Sequence, residues 1–220
     1  MAGALRLAHR GDWRVAPENS LAAMRAALAN PGCDGLEFDV QGSAEGVPIL
    51  LHDATLERVQ GIAERVDQLT ARELEAFGIP SLASVLEAVG PRPFLDIELK
   101  GPYLPSVISV IEAARGAVPE RTVISSFETP TLRDLAVAGP TWHRWLNALE
   151  LRPATLDEAR SLGCRGVSVA WRSIDAAGIG RARAAGLEVA AWTIRRRPTA
   201  ARLERLGVAV LCVEAAALDG

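Results

Sequence analysis

Gly35-Leu36-Glu37-Phe38-Asp39-Val40 is a short apolar run with two acids set into it. Read as a strand, it places residues i and i+2 on one face, so Glu37 and Asp39 point one way while Leu36, Phe38 and Val40 point the other. Leu95-Asp96-Ile97-Glu98-Leu99-Lys100 repeats the pattern and puts Glu98 and Lys100 on a common face. Both runs otherwise read as buried strands. Unpaired buried charge is too costly to be incidental, so these groups must pair with one another or bind a metal.

Working outward, similar short apolar runs recur along the chain: Leu5–Ala8, Val47–Leu51, Thr122–Ser125, Trp145–Leu149, Gly166–Val169, Leu187–Thr193 and Val208–Val213, with Gly35–Val40 and Pro93–Leu99 completing the set. Helical periodicity fills most intervals, at Ser20–Ala29, Leu82–Val89, Leu104–Arg115, Pro130–Ala138, Ala154–Leu162, Ala176–Ala185 and Thr199–Leu206. Ser20 and Ser81 are N-cap candidates. Gly32, Gly163, Gly186 and Gly207 follow helical stretches, where a C-terminal stop glycine belongs. Strand then helix, repeated about eight times, predicts an α/β fold with a parallel sheet. Polar residues at the ends of many different strands favour a closed (β/α)8 TIM barrel over an open sheet, whose site would concentrate in one or two loops. The Val47–Leu51 run follows Gly35–Val40 with no helix between, as a hairpin-like extension, and Ala54–Pro80 reads as an irregular excursion with one short helical piece, Ala71–Phe77. One domain over residues 1–220 is expected. An imperfect closure is expected at the C-terminus, where little chain remains for an eighth helix.

The 220 residues suffice for a substantial core, and 49% hydrophobic with 23% charged residues is the balance of a globular protein. A net charge of −3 argues against broad nucleic-acid binding while permitting a locally positive pocket for a small phosphate ester. Three cysteines, Cys33, Cys164 and Cys212, are widely spaced and read as buried free thiols. The start, MAGALRLAHRG, lacks a basic leader and its apolar stretch is interrupted by Arg6, and no apolar run reaches membrane-spanning length. A cytoplasmic location without membrane insertion is therefore expected; nothing in the sequence sets an oligomeric state.

Three carboxylates, Glu37, Asp39 and Glu98, converging on one point suit a hard divalent cation, Mg²⁺ or Ca²⁺. His9 and His52 each close a strand near these acids, and two imidazoles can divide a displacement between proton removal and proton donation. Arg10 offers a fork of donors for a phosphate, and Lys100 a second positive charge. The bland alternative is a set of buried salt bridges in which Arg10 and Lys100 neutralise the acids. Clusters of this size at strand ends are more often sites. Trp171 and Trp192 sit at strand ends as candidate pocket walls, His143 reads as a loop histidine, and Arg195-Arg196-Arg197 as a solvated turn before Pro198.

These motifs resemble the glycerophosphodiester phosphodiesterase family. The carrying residues are His9-Arg10-Gly11, Pro17-Glu18-Asn19-Ser20, Gly35 to Gln41, Gly46-Val47-Pro48, His52-Asp53 with Thr55-Leu56 and Arg58, Ile79-Pro80-Ser81-Leu82, and Glu98-Leu99-Lys100, with a weaker echo at Trp192-Thr193. The resemblance implies a barrel, a divalent metal on Glu37, Asp39 and Glu98, an acid/base pair in His9 and His52, and a phosphate and substrate grip by Arg10, Lys100 and Trp192. It implies cleavage of glycerophosphodiesters to an alcohol and sn-glycerol 3-phosphate, in one version by way of a cyclic phosphate formed by a glycerol hydroxyl and opened by water. The expected setting is lipid and glycerol metabolism. This sequence has Ser20 where the family usually has Thr, and Ser43 and Glu45 where Thr and Asp are usual. Arg195 stands where Asn commonly follows the Trp-Thr pair, and Leu211-Cys212-Val213-Glu214 where a Thr-Asp pair is usual. The last two changes lie on the substrate side and bear on which alcohol is accepted. Two other readings compete. A lysophospholipase D-type enzyme needs an apolar lip, for which Ala54–Pro80 offers few residues. A non-catalytic phosphate-binding barrel would need the cations but not both histidines.

Overall fold

The computed structural model describes residues 3–117 and 120–219. Met1, Ala2 and Gly220, on which the readings of the leader and the chain end partly depend, lie outside the described residues. In chain order the strands are β1 (Leu5–His9), β2 (Gly35–Gly42), β3 (Pro48–Leu50), β4 (Phe94–Leu99), β5 (Thr122–Ser126), β6 (Arg144–Ala148), β7 (Gly166–Ala170), β8 (Glu188–Ile194) and β9 (Val210–Val213). The helices are α1 (Leu21–Leu28), α2 (Glu57–Gln60), α3 (Ala71–Ala76), α4 (Leu82–Val89), α5 (Ser106–Arg115), α6 (Thr129–Ala138), α7 (Pro153–Ser161), α8 (Ala176–Ala184) and α9 (Arg197–Leu206).

The sheet runs β1-β9-β8-β7-β6-β5-β4-β2, and β1 pairs back onto β2, so the parallel strands close into a barrel. The β1–β9 seam is regular, from Leu5↔Val210 to Ala8↔Val213, which corrects the expectation of imperfect closure there. The irregularity lies one strand away, between β8 and β9, where the register shifts between Ala191 and Ile194. After β9 a single 3₁₀ turn, Ala215–Ala217, stands where an eighth helix would. β3 folds back antiparallel on β2, pairing Val40↔Leu50 and Gly42↔Pro48, and so returns the chain across the top of the barrel. Ser20 and Ser81 cap α1 and α4 by accepting from Ala23 and Ser84 amides. Gly163, Gly186 and Gly207 have positive φ and stop their helices as expected. Gly32 is not among the positive-φ residues; its amide instead donates to the Asn30 side chain.

Alternation along the strands sorts side chains into two layers. Leu36, Phe38, Val40, Leu95, Ile97 and Leu99 face outward and pack under the helices with Leu82, Leu86 and Leu132. The opposite face points into the barrel. Its lower part is an apolar plug of Leu7, Val123, Trp145, Ala190 and Val210, with Phe94 stacked on Trp145 at 6.1 Å between ring centroids. Replacing Trp145 with alanine would empty the centre of this plug and is expected to cost about 3–5 kcal/mol of stability, measured by denaturant unfolding. The Ala54–Pro80 excursion is more ordered than expected, because Ile49, Leu51, Leu56, Val66, Leu74 and Ile79 bury one another in a separate small core. Thr70 and Glu73 close a capping box at the start of α3.

Candidate active site

Above the plug the interior of the barrel turns polar. Register brings His9 beside Glu37 and Glu37 beside Asp96, and one step higher brings Asp39 beside Glu98. Glu37, Asp39 and Glu98 each offer an oxygen, and these atoms lie within 4.8 Å of one another. A cavity of about 260 Å³ opens here, lined by His9, Arg10, Glu37, His52, Asp96, Glu98, Lys100, Phe127 and Trp192 among others. This is the end of the barrel where the strands' C-termini lie, the usual place for a site in this architecture.

The electrostatics are those of crowded, buried acid. Burial, then repulsion from Asp39 and Glu98, pushes the Glu37 carboxyl well above its ordinary range. Burial and Asp39 push Glu98 up to about 7. Burial chiefly raises Asp96, also to about 7. Burial acts in the same direction on Asp39, but Arg10 and Lys100 overcome it and hold this acid below the usual range. Asp39 is the carboxylate most enclosed by protein. Arg10 Nε lies 3.0 Å and Lys100 Nζ 3.1 Å from its oxygens, and Asn19 Nδ2 donates to it at 3.0 Å. Lys100 also pairs with Glu98. The donor set is all oxygen, compact and mutually repulsive, so it fits a hard divalent cation that would relieve the repulsion.

Both histidines are anchored through the same ring nitrogen. His9 Nδ1 lies 2.6 Å from Glu214 Oε1, and His52 Nδ1 lies 2.6 Å from Asp53 Oδ1. Each carboxylate favours the tautomer with a proton on Nδ1 and leaves Nε2 free to accept or, once protonated, to donate. His9 Nε2 is 3.7 Å from Glu37 Oε2. Glu214 would be raised by its burial, yet hydrogen bonds and charge from His9 and Arg195 hold it at about 2. Arg195 Nε completes the chain by donating to Glu214 Oε2 at 2.7 Å. Burial lowers the His52 pKa, more than Asp39 and Asp53 raise it.

The backbone around these groups explains several quoted motifs. Arg10 and Asn19 both adopt left-handed, positive φ, a conformation that Asn tolerates better than most residues. Gly11 also has positive φ, and it could not carry a Cβ, which would stand 2.7 Å from the backbone carbon of Ala23. Glu18 bridges Arg10 and Arg58, and Arg58 in turn holds Asp53, so a continuous ionic network runs from Arg10 to His52. Gln41 Nε2 donates to the carbonyls of Leu51 and Asp53 and fixes the segment that presents His52.

The structure thus gathers His9, Arg10, Glu37, His52, Glu98, Lys100 and Trp192 around one cavity, with Asp39 directly behind it. Arg10 and Lys100 engage the carboxylates as well as facing the cavity, so the ion pairs of the salt-bridge alternative are present. Two acids were missed by the sequence reasoning. Asp96 lines the cavity, and the same alternation that singled out Glu98 would have found it two residues earlier. Glu214 was read only as a departure on the substrate side. Arg195 is not simply solvated, since it is tied to Glu214. Trp171 lies outside this cavity, in a neighbouring one. His143 lies at the opposite end of the barrel, 2.9 Å from Arg165, and plays no part in the site. Cys164 and Cys212 are buried free thiols, while Cys33 is only half-buried.

A model of the glycerophosphoryl diester phosphodiesterase family matches residues 9–113, the stretch that carries seven of these groups. A glycerophosphodiester phosphodiesterase of Caldanaerobacter subterraneus subsp. tengcongensis is 34% identical over 154 residues, which is 62% of this chain and 63% of the relative. The matched stretch therefore falls just short of two-thirds of that relative's length. The crystal structure of a glycerophosphodiester phosphodiesterase from Agrobacterium tumefaciens is 25% identical with a TM-score of 0.85, covering 98% of each chain. An Oleispira antarctica phosphodiesterase in complex with the product sn-glycerol-3-phosphate shares the fold, with a TM-score of 0.85 at 24% identity over 96% of this chain and 93% of that one. Over residues 9–113 in sequence, and over nearly its whole length in fold, the chain is similar to the glycerophosphoryl diester phosphodiesterase family.

Proposed function

We propose that this chain is a metal-dependent phosphoric diester hydrolase that cleaves glycerophosphodiesters to an alcohol and sn-glycerol 3-phosphate. One observation carries the reading: three buried carboxylates converge at the wall of a cavity flanked by two imidazoles, each held through Nδ1 by its own carboxylate. The family similarity and the product bound in the Oleispira antarctica protein support it.

Glu37, Asp39 and Glu98 would hold Mg²⁺ or Ca²⁺, which when bound supplies charge to a phosphoryl group that gains negative charge at the transition state. The remaining work falls to the protein. Arg10 and Lys100 add fixed positive charge beside the phosphate oxygens. Nε2 of one histidine accepts the proton of the attacking hydroxyl as its oxygen bonds to phosphorus. Nε2 of the other histidine gives a proton to the alcohol oxygen as its bond to phosphorus breaks. The attacking hydroxyl is water's or the substrate's own glycerol hydroxyl. In the second case water then adds to the cyclic phosphate, breaking its new P–O bond, as the histidines exchange roles. Trp192 and Phe127, edge to face at 5.8 Å, form an apolar wall beside the cavity.

Incubation with glycerophosphocholine in the presence of Mg²⁺ or Ca²⁺ should release choline and sn-glycerol 3-phosphate in equal amounts. Release of neither, or of phosphocholine and glycerol, would overturn the reading. Glu214 is a positioning residue for His9. Replacing it with alanine is expected to lower kcat at least about tenfold, by freeing the ring, with KM changed less than twofold and partial recovery in the Glu214→Asp variant.

The substrate partner is a small diester, and the setting a cytoplasmic one in lipid and glycerol metabolism. Among the described residues no helix is long and apolar enough to cross a membrane. One observation favours the lysophospholipase D-type reading more than the sequence did. The residues of the Ala54–Pro80 excursion are mostly spent on their own core, but Trp13, Val15, Phe127 and Leu149 stand exposed in loops at the catalytic end. A lysophospholipid cleaved faster than glycerophosphocholine would favour that reading.

A further inference from the structure

Beside the catalytic cavity lies a second, of about 570 Å³, that the chemistry above does not use. Trp192 and Thr193 form a wall common to both. Trp171, Arg172, Arg195 and Arg196 supply most of the rest, and no carboxylate lines it. The chain as a whole carries a net charge of −3, so this concentration of arginine is local.

The arginines here are not equivalent. Arg195 is neutralised by Glu214. Arg197 donates to the Ala216 carbonyl, and Arg202 lies 5.8 Å from the Trp171 ring. Among the described residues Arg172 and Arg196 have no carboxylate within ion-pair distance, and both face the cavity. Arg172 lies over the Trp171 ring at 4.6 Å, which restrains its guanidinium and leaves the edge donors available. A restrained fork of donors beside a second guanidinium matches a planar or tetrahedral oxyanion. A quaternary ammonium would find two aromatic rings here, but also uncompensated positive charge.

We propose that this second cavity is an anion subsite. It takes a phosphate or carboxylate borne by the alcohol part of a diester whose phosphorus occupies the catalytic cavity, and so selects glycerophosphodiesters whose alcohol carries an additional negative charge. The inference rests on the phosphodiesterase reading. It places the choice of alcohol in the segments that follow β7 and β8 rather than in the shared catalytic half.

The test compares glycerophosphoglycerol with the same diester phosphorylated on its terminal hydroxyl, both in free solution. The wild-type protein should show a kcat/KM at least about tenfold higher for the phosphorylated substrate, the equivalent of roughly 1.4 kcal/mol. The Arg172→Ala/Arg196→Ala double variant should lose that preference while cleaving glycerophosphoglycerol within twofold of wild type. Arg195 is left intact because it holds Glu214. Equal rates on both substrates, or a preference that survives the double variant, would overturn the subsite while leaving the phosphodiesterase reading standing. Failure to cleave either would overturn both. If the preference is absent in solution but the wild type, unlike the double variant, sediments with phosphatidylserine vesicles, the arginines serve a lipid surface and the subsite is overturned.

Discussion

Replacing Glu37 with glutamine should lower kcat/KM for a glycerophosphodiester by about 10³-fold or more, with no fall in the melting temperature of the metal-free protein. The amide keeps the shape of the side chain and removes one of three charges offered to the metal. Loss of a cation that stabilises transition-state charge is worth several kcal/mol, and every step of about 1.4 kcal/mol is tenfold in rate. Stability should move the other way. Glu37 is buried and its carboxyl is pushed well above the ordinary range by burial and by Asp39 and Glu98. Its folded pKa is raised, so between the unfolded and folded values the ionised form costs stability as pH rises. A neutral amide removes that cost. A variant that is inactive yet, with both proteins free of metal, melts at or above the wild-type temperature at pH 7 separates a functional role from a structural one. A variant that keeps activity would show that Glu37 holds no metal.

The second large effect belongs to the histidines. Alanine at His9 or at His52 should lower kcat by about 10²–10⁴-fold, the range for a positioned proton donor or acceptor. The double variant should lose much less than the product of the single losses, because groups that act in one displacement are not additive. The two roles can be told apart with a p-nitrophenyl ester, whose leaving group departs without a proton. The variant lacking the acid should then come within about tenfold of wild type, while the variant lacking the base stays impaired. Equal recovery of both variants, or of neither, would contradict a divided role. The anchors explain why these two rings suit the work. Glu214 and Asp53 hold Nδ1 of each at 2.6 Å, so the reactive nitrogen is fixed as Nε2 in both.

Much of this was legible in two strands. The period of two in β2 and β4 separates acids from apolar residues without ambiguity, because a one-residue slip would bury charge under the helices and expose Leu36 and Phe38. That alone aligned Glu37, Asp39 and Glu98. The fold followed from the recurrence of strand and helix, and closure onto β1 from the number of repeats. What could not be read was whatever depends on closure itself. Glu214 lies 205 residues from His9 in sequence, and only the β1–β9 pairing brings them together. Arg195 and Glu214 each read as an isolated departure, since nothing local shows that they touch. Gly32 resembled its three counterparts, yet its turn is made by Asn30, whose side chain satisfies the amide without a left-handed residue. In the excursion, apolar residues spaced irregularly along the chain meet only after β3 folds back, so no period announced their core.

The two cations expected to grip a phosphate were legible, but the particular carboxylate partners of each were not. Arg10 and Lys100 sit beside the cavity, and both also compensate Asp39, which they hold below the usual carboxylate range against the opposing effect of burial. The same two cations thus support the acids and line the cavity. This sharing keeps a site with three converging carboxylates compatible with a folded barrel.

The most direct measurement strips divalent cations from the protein with a chelator and follows the return of sn-glycerol 3-phosphate release as Mg²⁺ or Ca²⁺ is added back. Activity should vanish on chelation and rise in proportion to added metal, reaching a plateau at one equivalent in the wild type and staying absent in the Glu37→Gln variant. Hydrolysis that persists undiminished after chelation would contradict a metal held by Glu37, Asp39 and Glu98.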